Sequence, residues 1–382
     1  MVYLDYAAST PVDPRVARLM YEVYTEDPGN PSSRTHLHGD GCRSIEENAR
    51  SSVASLANVE PDEIVFTSGA TESDNLAIRG LLRYGEETGK RHVVSSAIEH
   101  KAVLNTLKYI ESRGFEVTLI KPGASGSVSV DEVLSAVRSD TLLVSIMHAN
   151  NETGIYQPVN EIGKELFGLT SRPYYHVDAA QTAGKAWPLF DNMQFDFMSL
   201  SAHKMYGPQG IGALAIKRHP YHFPPIEQIT FGGDQEQGIR PGTLPTALIA
   251  GFGMAATIAH DEHCADRELA VSVKSIIVSQ LDESGVRYAV NGGGNALPNI
   301  INIRFPGVSS EALMIAVKNR LSISNGSACT SGSYAPSHVL VAMGLSEGEA
   351  IESVRLSWGR GTDEEESSEA ISYLLEVVKS LQ

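Results

Sequence analysis

One stretch of the sequence indicates both the fold and the chemistry of this chain, Phe197-Met-Ser-Leu-Ser-Ala-His-Lys-Met-Tyr-Gly-Pro-Gln-Gly-Ile-Gly212. An apolar run from Phe195 to Leu200 is typical of a strand, and Ser-x-His-Lys and a glycine-rich turn follow it. Lys204 therefore lies where a strand gives way to a loop, a position at which α/β proteins present reactive groups. Two interpretations remain. Either Lys204 forms a Schiff base with pyridoxal phosphate, whose phosphate Ser201 and His203 bind, or it is a solvated lysine beside a turn.

The upstream stretch Tyr174-Tyr-His-Val-Asp-Ala-Ala-Gln-Thr-Ala-Gly-Lys185 favours the cofactor interpretation. Its β-rich beginning ends in Asp178, and Gln181 follows three residues later. A carboxylate at a strand end can bind the pyridine nitrogen and keep it protonated, which makes the ring an electron sink. Asp178 and Lys204 are 26 residues apart (204 − 178), so two neighbouring strand ends can face one ring.

Composition limits the class of protein. A chain of 382 residues with 42% hydrophobic and 20% charged residues predicts a globular protein of two domains. The formal net charge of −16 argues against direct binding to nucleic acid or to an anionic membrane. Three cysteines without a C-x-x-C pair predict neither a disulfide framework nor a metal site, and they fit a cytoplasmic location.

Alternating strands and helices from about residue 60 to 215 predict a mainly parallel sheet with helices on both faces. Within this region, Glu63 to Ala77 is a strand, a glycine turn and a helix start. The backbone N–H of Ala70 and the Thr71 side chain can bind a phosphate there. The same junction is also common in α/β proteins without a phosphate site. The apolar run of residues 247–259 predicts a buried helix, and from about residue 260 the pattern becomes α+β, with a helix over residues 266–282 first.

From Tyr3-Leu-Asp-Tyr-Ala-Ala to Arg355-Leu-Ser-Trp-Gly-Arg360 the chain resembles the cysteine desulfurases of the NifS/IscS type. These belong to the class V aminotransferases among the fold-type I pyridoxal-phosphate enzymes. The resemblance implies an α/β fold with a large domain, residues 14–258, on a mainly parallel seven-stranded sheet. It implies a smaller α+β domain of residues 1–13 and 259–382. It further implies a homodimer that converts L-cysteine to L-alanine.

The resemblance also assigns roles that the residues alone leave open. His100 follows a strand and by itself reads as a packed loop histidine; the resemblance implies that it stacks on the cofactor and moves protons. Asn151 by itself reads as a turn former; the resemblance implies that it reaches the cofactor's ring oxygen or the substrate. Gln181 is implied to reach the same ring oxygen. Thr243, in the glycine-rich loop Phe231 to Pro245, is implied to touch the partner subunit's cofactor phosphate.

Two further residues are expected to contact the substrate. Arg355 can bind an amino acid's carboxylate through two parallel hydrogen bonds, and it is the arginine that matches the family's Arg-x-Ser pattern. A surface salt bridge is the alternative for Arg355, and Arg360 is its rival. Asn30, in the loop Gly29 to Ser33, either lines the substrate pocket or belongs to a plain connection.

Cys329 lies in Leu321-Ser-Ile-Ser-Asn-Gly-Ser-Ala-Cys-Thr-Ser-Gly-Ser-Tyr-Ala-Pro-Ser, a polar run without apolar periodicity. The run predicts an exposed loop, about residues 322–336, whose thiolate attacks the substrate's sulfur and carries it away as a persulfide. An incidental surface thiol is the alternative. The long form resembles the IscS-like group more than the SufS-like group. The acceptors that this implies are proteins of iron–sulfur cluster assembly, tRNA thiolation or DNA sulfur modification.

Two positions depart from the family pattern: Gln237 stands where relatives often carry Arg, and Ala202 where Gly is usual. Ala is close to Gly in size, so we expect the cofactor site to tolerate it, whereas Gln237 bears on the pocket rim or the subunit interface. Rival readings are a class V aminotransferase, a selenocysteine lyase, or a scaffold without cofactor that only docks sulfur-transfer proteins.

Overall fold

The computed structural model describes residues 1–186, 190, 192–219, 222–326 and 335–382. Its strands, in chain order, are β1 (Val2–Tyr3), β2 (Ile64–Thr67), β3 (His92–Ser96), β4 (Glu116–Ile120), β5 (Thr141–Met147), β6 (Tyr174–Asp178), β7 (Phe197–Ser201), β8 (Gly212–Ile216), β9 (Ala289–Val290), β10 (Ile300–Arg304), β11 (Leu321–Ser322) and β12 (Ser353–Ser357). Its α-helices are α1 (Pro14–Glu26), α2 (Leu37–Ala57), α3 (Ala70–Arg79), α4 (Leu82–Thr88), α5 (Lys101–Glu111), α6 (Val130–Ala136), α7 (Val159–Phe167), α8 (Thr246–Glu283), α9 (Ser310–Val317), α10 (His338–Ala342), α11 (Glu347–Ile351) and α12 (Glu364–Leu381).

Seven strands form the large sheet, in the order β2-β8-β7-β6-β5-β3-β4. The strands from β7 to β4 run parallel, while β8 is antiparallel to both β7 and β2. Val144 and Ile146 of β5 join one buried cluster and Leu143 joins another, as expected for a sheet that is covered on both faces. The predicted α/β fold with a mainly parallel seven-stranded sheet is confirmed.

The register of the sheet brings three strand ends together. Met147 at the end of β5 pairs with Asp178 at the end of β6, and Asp178 pairs with Ser199 near the end of β7. In open parallel sheets the carboxyl ends of the strands are where ligands bind. The residues that follow these strands therefore share one edge of the sheet.

The remaining strands come from the C-terminal part of the chain and from the N-terminal β1. β12, β10 and β9 form an antiparallel sheet, and β1 pairs in parallel with β11. Leu4 packs in a buried cluster with residues between Ala270 and Val378, apart from the cluster between Val16 and Ala259. The domain boundaries at residues 13/14 and 258/259 stay predictions.

The connection between these two regions differs from the sequence reading. The sequence suggested two helices, residues 247–259 and 266–282, but α8 is one continuous helix of 38 residues. Its first half is buried on most sides and its middle, from His260 to Glu268, is mostly exposed, so the polar stretch marks a change of environment and not a break. Among the described residues, no helix has both the length and the apolar character that crossing a membrane requires.

Candidate active site

A cavity of about 540 Å³ opens beside the ends of β5, β6 and β7. This volume lies within the range of roughly 300–1,000 Å³ that is usual for small-molecule sites. Most of the residues that the sequence proposed for the site line it, namely Ala70, Thr71, His100, Asn151, Asp178, Gln181, Ser201, His203, Lys204 and Arg355.

Lys204 ends a short 3₁₀ turn, Ala202–Lys204, that directly follows β7. Its Nζ donates hydrogen bonds to two carbonyl oxygens of the N-terminal arm, Ala7 O at 2.6 Å and Ala8 O at 2.7 Å. Neither Ala7 nor Ala8 has a side chain whose type or spacing indicates a role in the site. The contact spans almost 200 positions and uses backbone atoms, so no side-chain motif could have indicated it.

Asp178 ends β6 and is buried, and its Oδ1 accepts the Ala180 N–H at 2.9 Å. Burial raises the pKa of this carboxyl, and the Ala180 N–H and the nearby charges of His100 and Lys204 act in the opposite direction. Glu99 lies close enough to interact with it and is fully buried; burial raises its pKa to about 8. Asp178 is therefore a carboxylate that a cationic group in the cavity would stabilise.

His100 is the N-cap of α5, and its Nδ1 accepts the Ala102 N–H at 3.2 Å. In the neutral ring this contact assigns the hydrogen to Nε2. Burial is the main cause that lowers the pKa of His100, which favours the neutral ring, while the charge of Asp178 acts in the opposite direction. The neutral side chain therefore offers a hydrogen-bond donor at Nε2, while Nδ1 accepts the Ala102 N–H.

The start of α3 forms another wall of the cavity. Gly69 precedes the helix with φ of +149°, a conformation that favours glycine. A Cβ at Gly212 would lie 2.6 Å from the Cα of Gly69, so the two glycines let β8 approach the helix start closely. The first N–H groups of a helix lack partners within the helix and favour anions. Ser201 and His203 line the same cavity, and burial lowers the pKa of His203 to about 4.

Arg355, on β12, is only 3% exposed and lines the cavity. Its Nη1 donates to Asn151 O at 2.9 Å, and its Nη2 donates to Asp5 Oδ1 at 2.5 Å. The Nε atom is buried and has no hydrogen-bond partner among the described residues. Arg360 pairs instead with Asp266 and Asp13 and is absent from the described lining of the cavity. Of the two rival arginines, the structure brings Arg355 to the site.

Two predicted site residues do not line the cavity of their own chain, and a third lies outside the described residues. Asn30 is exposed, and its side-chain oxygen accepts the Ser32 N–H at 2.9 Å within its own turn, so the structure does not support Asn30 as a lining residue within one chain. Thr243 is exposed and away from the cavity of its own chain. Cys329 lies outside the described residues.

The two residues that depart from the family pattern, Ala202 and Gln237, both lie outside the lining of the cavity. Ala202 is fully buried beside Gly207, where an added Cβ would lie 2.9 Å from the Ala202 methyl, and it does not line the cavity. The Nε2 of Gln237 donates to Asp62 O at 2.9 Å. Gln237 has a positive φ of 58° and does not line the cavity either.

Comparisons with known proteins place the chain among relatives along its whole length. A family model described as aminotransferase class-V matches residues 2–369. The chain is similar to the cysteine desulfurase IscS of Pseudomonas putida (strain W619), at 44% identity over 384 residues that cover 100% of this chain and 93% of that protein. It is equally similar to IscS of Vibrio cholerae serotype O1, at 44% over 381 residues that cover 99% and 92%.

Solved structures agree with this. A NifS-like protein matches with a TM-score of 0.90 and 34% identity and covers 100% of both chains. DndA from Streptomyces lividans matches with a TM-score of 0.81 and 44% identity, over 94% of this chain and 99% of that chain. A structure of SspA in complex with cysteine matches with a TM-score of 0.82 and 39% identity, over 94% and 98%.

Proposed function

The chain belongs to the class V aminotransferase family and is a cysteine desulfurase, and on this premise we propose how its residues handle sulfur. L-Cysteine enters the cavity, L-alanine leaves it, and the sulfur stays on Cys329 as a persulfide until an acceptor protein takes it. The observation that carries the proposal is the meeting of Lys204, Asp178 and Arg355 in one cavity. The cysteine bound to the similar SspA supports L-cysteine as the substrate.

The walls of the cavity fit pyridoxal phosphate. The N–H groups at the start of α3, with Thr71, Ser201 and His203, would hold the phosphate. Asp178 would hold the pyridine nitrogen as a cation, the partner that a buried carboxylate needs. Gln181 Oε1 is buried without a partner among the described residues, and such an acceptor indicates a donor on a ligand. When bound, the cofactor supplies an electron sink for the substrate's Cα.

Lys204 is the base in this proposal. Its Nζ removes the α-proton of the substrate and holds it as an ammonium. The carbonyls of Ala7 and Ala8 accept hydrogen bonds from that ammonium at 2.6 and 2.7 Å, and hydrogen bonds to a charged group stabilise its charged form. The N-terminal arm thus contributes to proton transfer through its backbone.

His100 is the proton donor. Between Lys204 and His100, the Ala102 N–H at Nδ1 favours Lys204 as the base, because it occupies the only basic nitrogen of the neutral His100 ring. After sulfur leaves, the His100 ring takes up the proton that Lys204 holds, gives up its contact with the Ala102 N–H, and as an imidazolium protonates the substrate's Cβ.

Arg355 holds the α-carboxylate of the substrate, with the Asn151 side chain beside it in the cavity wall. Asp5 balances the guanidinium when no substrate is present, because a buried arginine without a counter-charge is unfavourable. The carboxylate of L-cysteine approaches the buried edge of Arg355 that contains Nε, whose hydrogen has no protein acceptor among the described residues.

The transfer of sulfur to Cys329 needs no added oxidant. The Cys329 thiolate attacks the substrate's sulfur, an S–S bond forms, and the bond between that sulfur and Cβ breaks. The electron pair stays with the three-carbon fragment, which takes up protons and leaves as L-alanine. Cys329 is oxidised to the persulfide and the substrate carbon is reduced by the same two electrons.

A cytoplasmic homodimer completes the proposal. Tyr21, Tyr24, Leu37 and Phe231 are large apolar side chains that are at least 65% exposed in the single chain, and such side chains are common at subunit interfaces. In the dimer, Thr243 would touch the partner subunit's cofactor phosphate. The persulfide then passes to a separate sulfur-acceptor protein.

The test is alanine release from L-cysteine in the presence of a reductant, for the wild type and for Cys329→Ser. We expect alanine from the wild type and almost none from the variant. Equal alanine from both would remove Cys329 from the reaction and favour a lyase that releases sulfide directly. No alanine from either, in protein that shows the visible absorption of bound cofactor, would point to another substrate.

A further inference from the structure

Glu152 is a buried carboxylate that contacts both ends of the segment carrying Cys329. It is 2% exposed and follows Asn151 in the turn after β5. Its Oε2 accepts a hydrogen bond from Ser337 Oγ at 2.5 Å, on the C-terminal side of that segment. On the N-terminal side, Gly326 packs so closely that a Cβ there would lie 2.8 Å from the same oxygen. The two ends of the segment therefore meet at one carboxylate.

The backbone of Glu152 is fixed by the protein around it. Its N–H donates to Asn150 Oδ1 at 2.9 Å, and its carbonyl accepts from Asn302 Nδ2 at 3.2 Å. Asn150 is fully buried, and Asn302 belongs to the β10 strand of the smaller sheet. Glu152 is therefore a rigid point to which a neighbouring segment can be attached.

Each end of the segment is ordered where it meets Glu152. The N–H of Gly326 donates to Ser324 Oγ at 3.1 Å, and Ser324 and Gly326 both line the cavity. The N–H of Leu340 donates to Ser337 Oγ at 3.1 Å, so Ser337 caps α10 while it donates to Glu152. The carboxylate thus connects the cavity wall at Gly326 to the start of a helix at Ser337.

Gly326 adopts a φ of +80°, and its lack of a side chain makes the approach to Glu152 possible. Burying a carboxylate is unfavourable unless the contacts that it makes offset its lost hydration. Burial raises the pKa of Glu152, while the Ser337 hydroxyl and the charges of His338, Arg355 and Lys101 oppose that shift. Glu152 does not line the cavity, so contact with substrate or cofactor does not explain its presence.

We propose that Glu152 is a positioning residue for the sulfur step: it holds Gly326 and Ser337 together beside the cavity, so that the Cys329 thiol reaches the substrate's sulfur. The inference rests on the proposed role of Cys329. A displacement of about 1 Å in a reacting group can lower a rate by about 100-fold, so a loose attachment has a measurable consequence.

The first test compares Glu152→Ala, Glu152→Gln and the wild type. In Glu152→Ala we expect kcat for alanine formation to fall about 10- to 100-fold, with KM for L-cysteine changed by less than about twofold. The change in cofactor absorption on mixing with L-cysteine keeps its wild-type rate, while persulfide formation on Cys329, followed by mass spectrometry, slows. Glu152→Gln recovers kcat to within about threefold of wild type, because its amide oxygen still accepts the Ser337 hydrogen.

Ser337→Ala removes the same hydrogen bond from the other side. If Glu152 acts through Ser337, the double variant with both residues replaced by Ala has a kcat no lower than that of the slower single variant, because the effects of substitutions at contacting residues are not additive. Glu349→Ala is the matched control. Glu349 accepts a hydrogen bond from the helix-capping Ser346 at 2.8 Å, as Glu152 does from Ser337, but it lies on the surface at α11. We expect kcat of this control to stay at the wild-type value.

Three results would overturn the inference. One is a Glu152→Ala enzyme with the kcat of the Glu349→Ala control. Another is an equal slowing of the cofactor's spectral change, which would mean general damage to the site. The third is full alanine release by Cys329→Ser, which removes the proposed function and this inference together; an inactive Cys329→Ser beside a fully active Glu152→Ala overturns the inference alone. If Glu152→Ala does not fold, Ser337→Ala is judged by the same measurements.

Discussion

Replacing His100 separates two roles that the structure gives to this side chain. Nδ1 caps α5 by accepting the Ala102 N–H at 3.2 Å, and Nε2 carries the hydrogen of the neutral ring. Asn is a good N-cap, so His100→Asn keeps the cap and removes the imidazole, whereas His100→Ala removes both. Loss of a general acid lowers a rate by about 10²–10⁴, or about 3–5 kcal/mol of activation free energy. Loss of the cap lowers the free energy of unfolding by about 1 kcal/mol.

The assay is kcat for alanine release at saturating L-cysteine, together with urea unfolding of the wild type and both variants. We expect both variants to lose at least about 100-fold in kcat, and only His100→Ala to lose about 1 kcal/mol of stability. A His100→Asn enzyme with kcat within about threefold of wild type would contradict the role of His100 as the acid. His100 would then be a helix cap and a packing group, and the proton would come from elsewhere.

Three further perturbations test other parts of the site. Asp178→Asn keeps an acceptor for the Ala180 N–H but removes the charge, so we expect retained cofactor absorption and a loss of about 10²–10³ in kcat; an unchanged kcat would show that the charge is dispensable. Glu99 has its pKa raised from 4.5 to about 8, so the wild type loses stability as pH rises through this interval. Raising the pH from about 4 to about 9 should lower the free energy of unfolding of the wild type by up to about 5 kcal/mol more than that of Glu99→Gln, as measured by urea unfolding. Parallel pH profiles of the two proteins would contradict this. Glu236→Ala leaves the Arg50 guanidinium and the Phe66 N–H without their shared carboxylate, so it should lose about 3–5 kcal/mol of stability, whereas a loss below about 1 kcal/mol would argue against a buried pair.

The sequence predicts those site residues that lie at or just after the end of a strand, within one continuous stretch of the chain. Lys204 comes three residues after β7, and Asp178 is the last residue of β6. Because the strands are parallel neighbours, their ends meet at one edge of the sheet. The sequence around each residue is therefore enough to predict that the two lie close together. The alternation of strands and helices likewise predicts the layered fold without any long-range information.

Contacts between distant segments could not be predicted in this way. The pair between Arg355 and Asp5 spans 350 positions, and the bonds from Lys204 to the arm carbonyls span 196 and 197 positions. Neither produces a periodic pattern or a motif, because one partner is a backbone atom or an ordinary carboxylate. Asn30 shows what a turn composition leaves open. A turn rich in Gly, Asn, Pro and Ser fits either a pocket wall or a plain connection, and within one chain the asparagine side chain accepts a hydrogen bond from its own turn.

The length of α8 has a similar explanation. The run His260-Asp-Glu-His-Cys-Ala-Asp266 interrupts an apolar pattern, and interrupted apolar patterns usually mean two elements. Here the helix remains continuous while its surroundings change from the large buried cluster to solvent and then to the C-terminal cluster. Periodicity reports which face is buried, and it cannot report that the packing partner has changed.

The location of the sulfur after one turnover tests most directly whether Cys329 takes it from the substrate. L-Cysteine labelled with a heavy sulfur isotope is mixed with excess enzyme without reductant, and peptides containing Cys42, Cys264 and Cys329 are analysed by mass spectrometry. Cys264 is exposed and Cys42 is buried, so they serve as internal controls for incidental and inaccessible thiols. We expect labelled persulfide on Cys329, about one per alanine formed, and none on Cys264. Labelled sulfide free in solution, or equal label on Cys264 and Cys329, would contradict it.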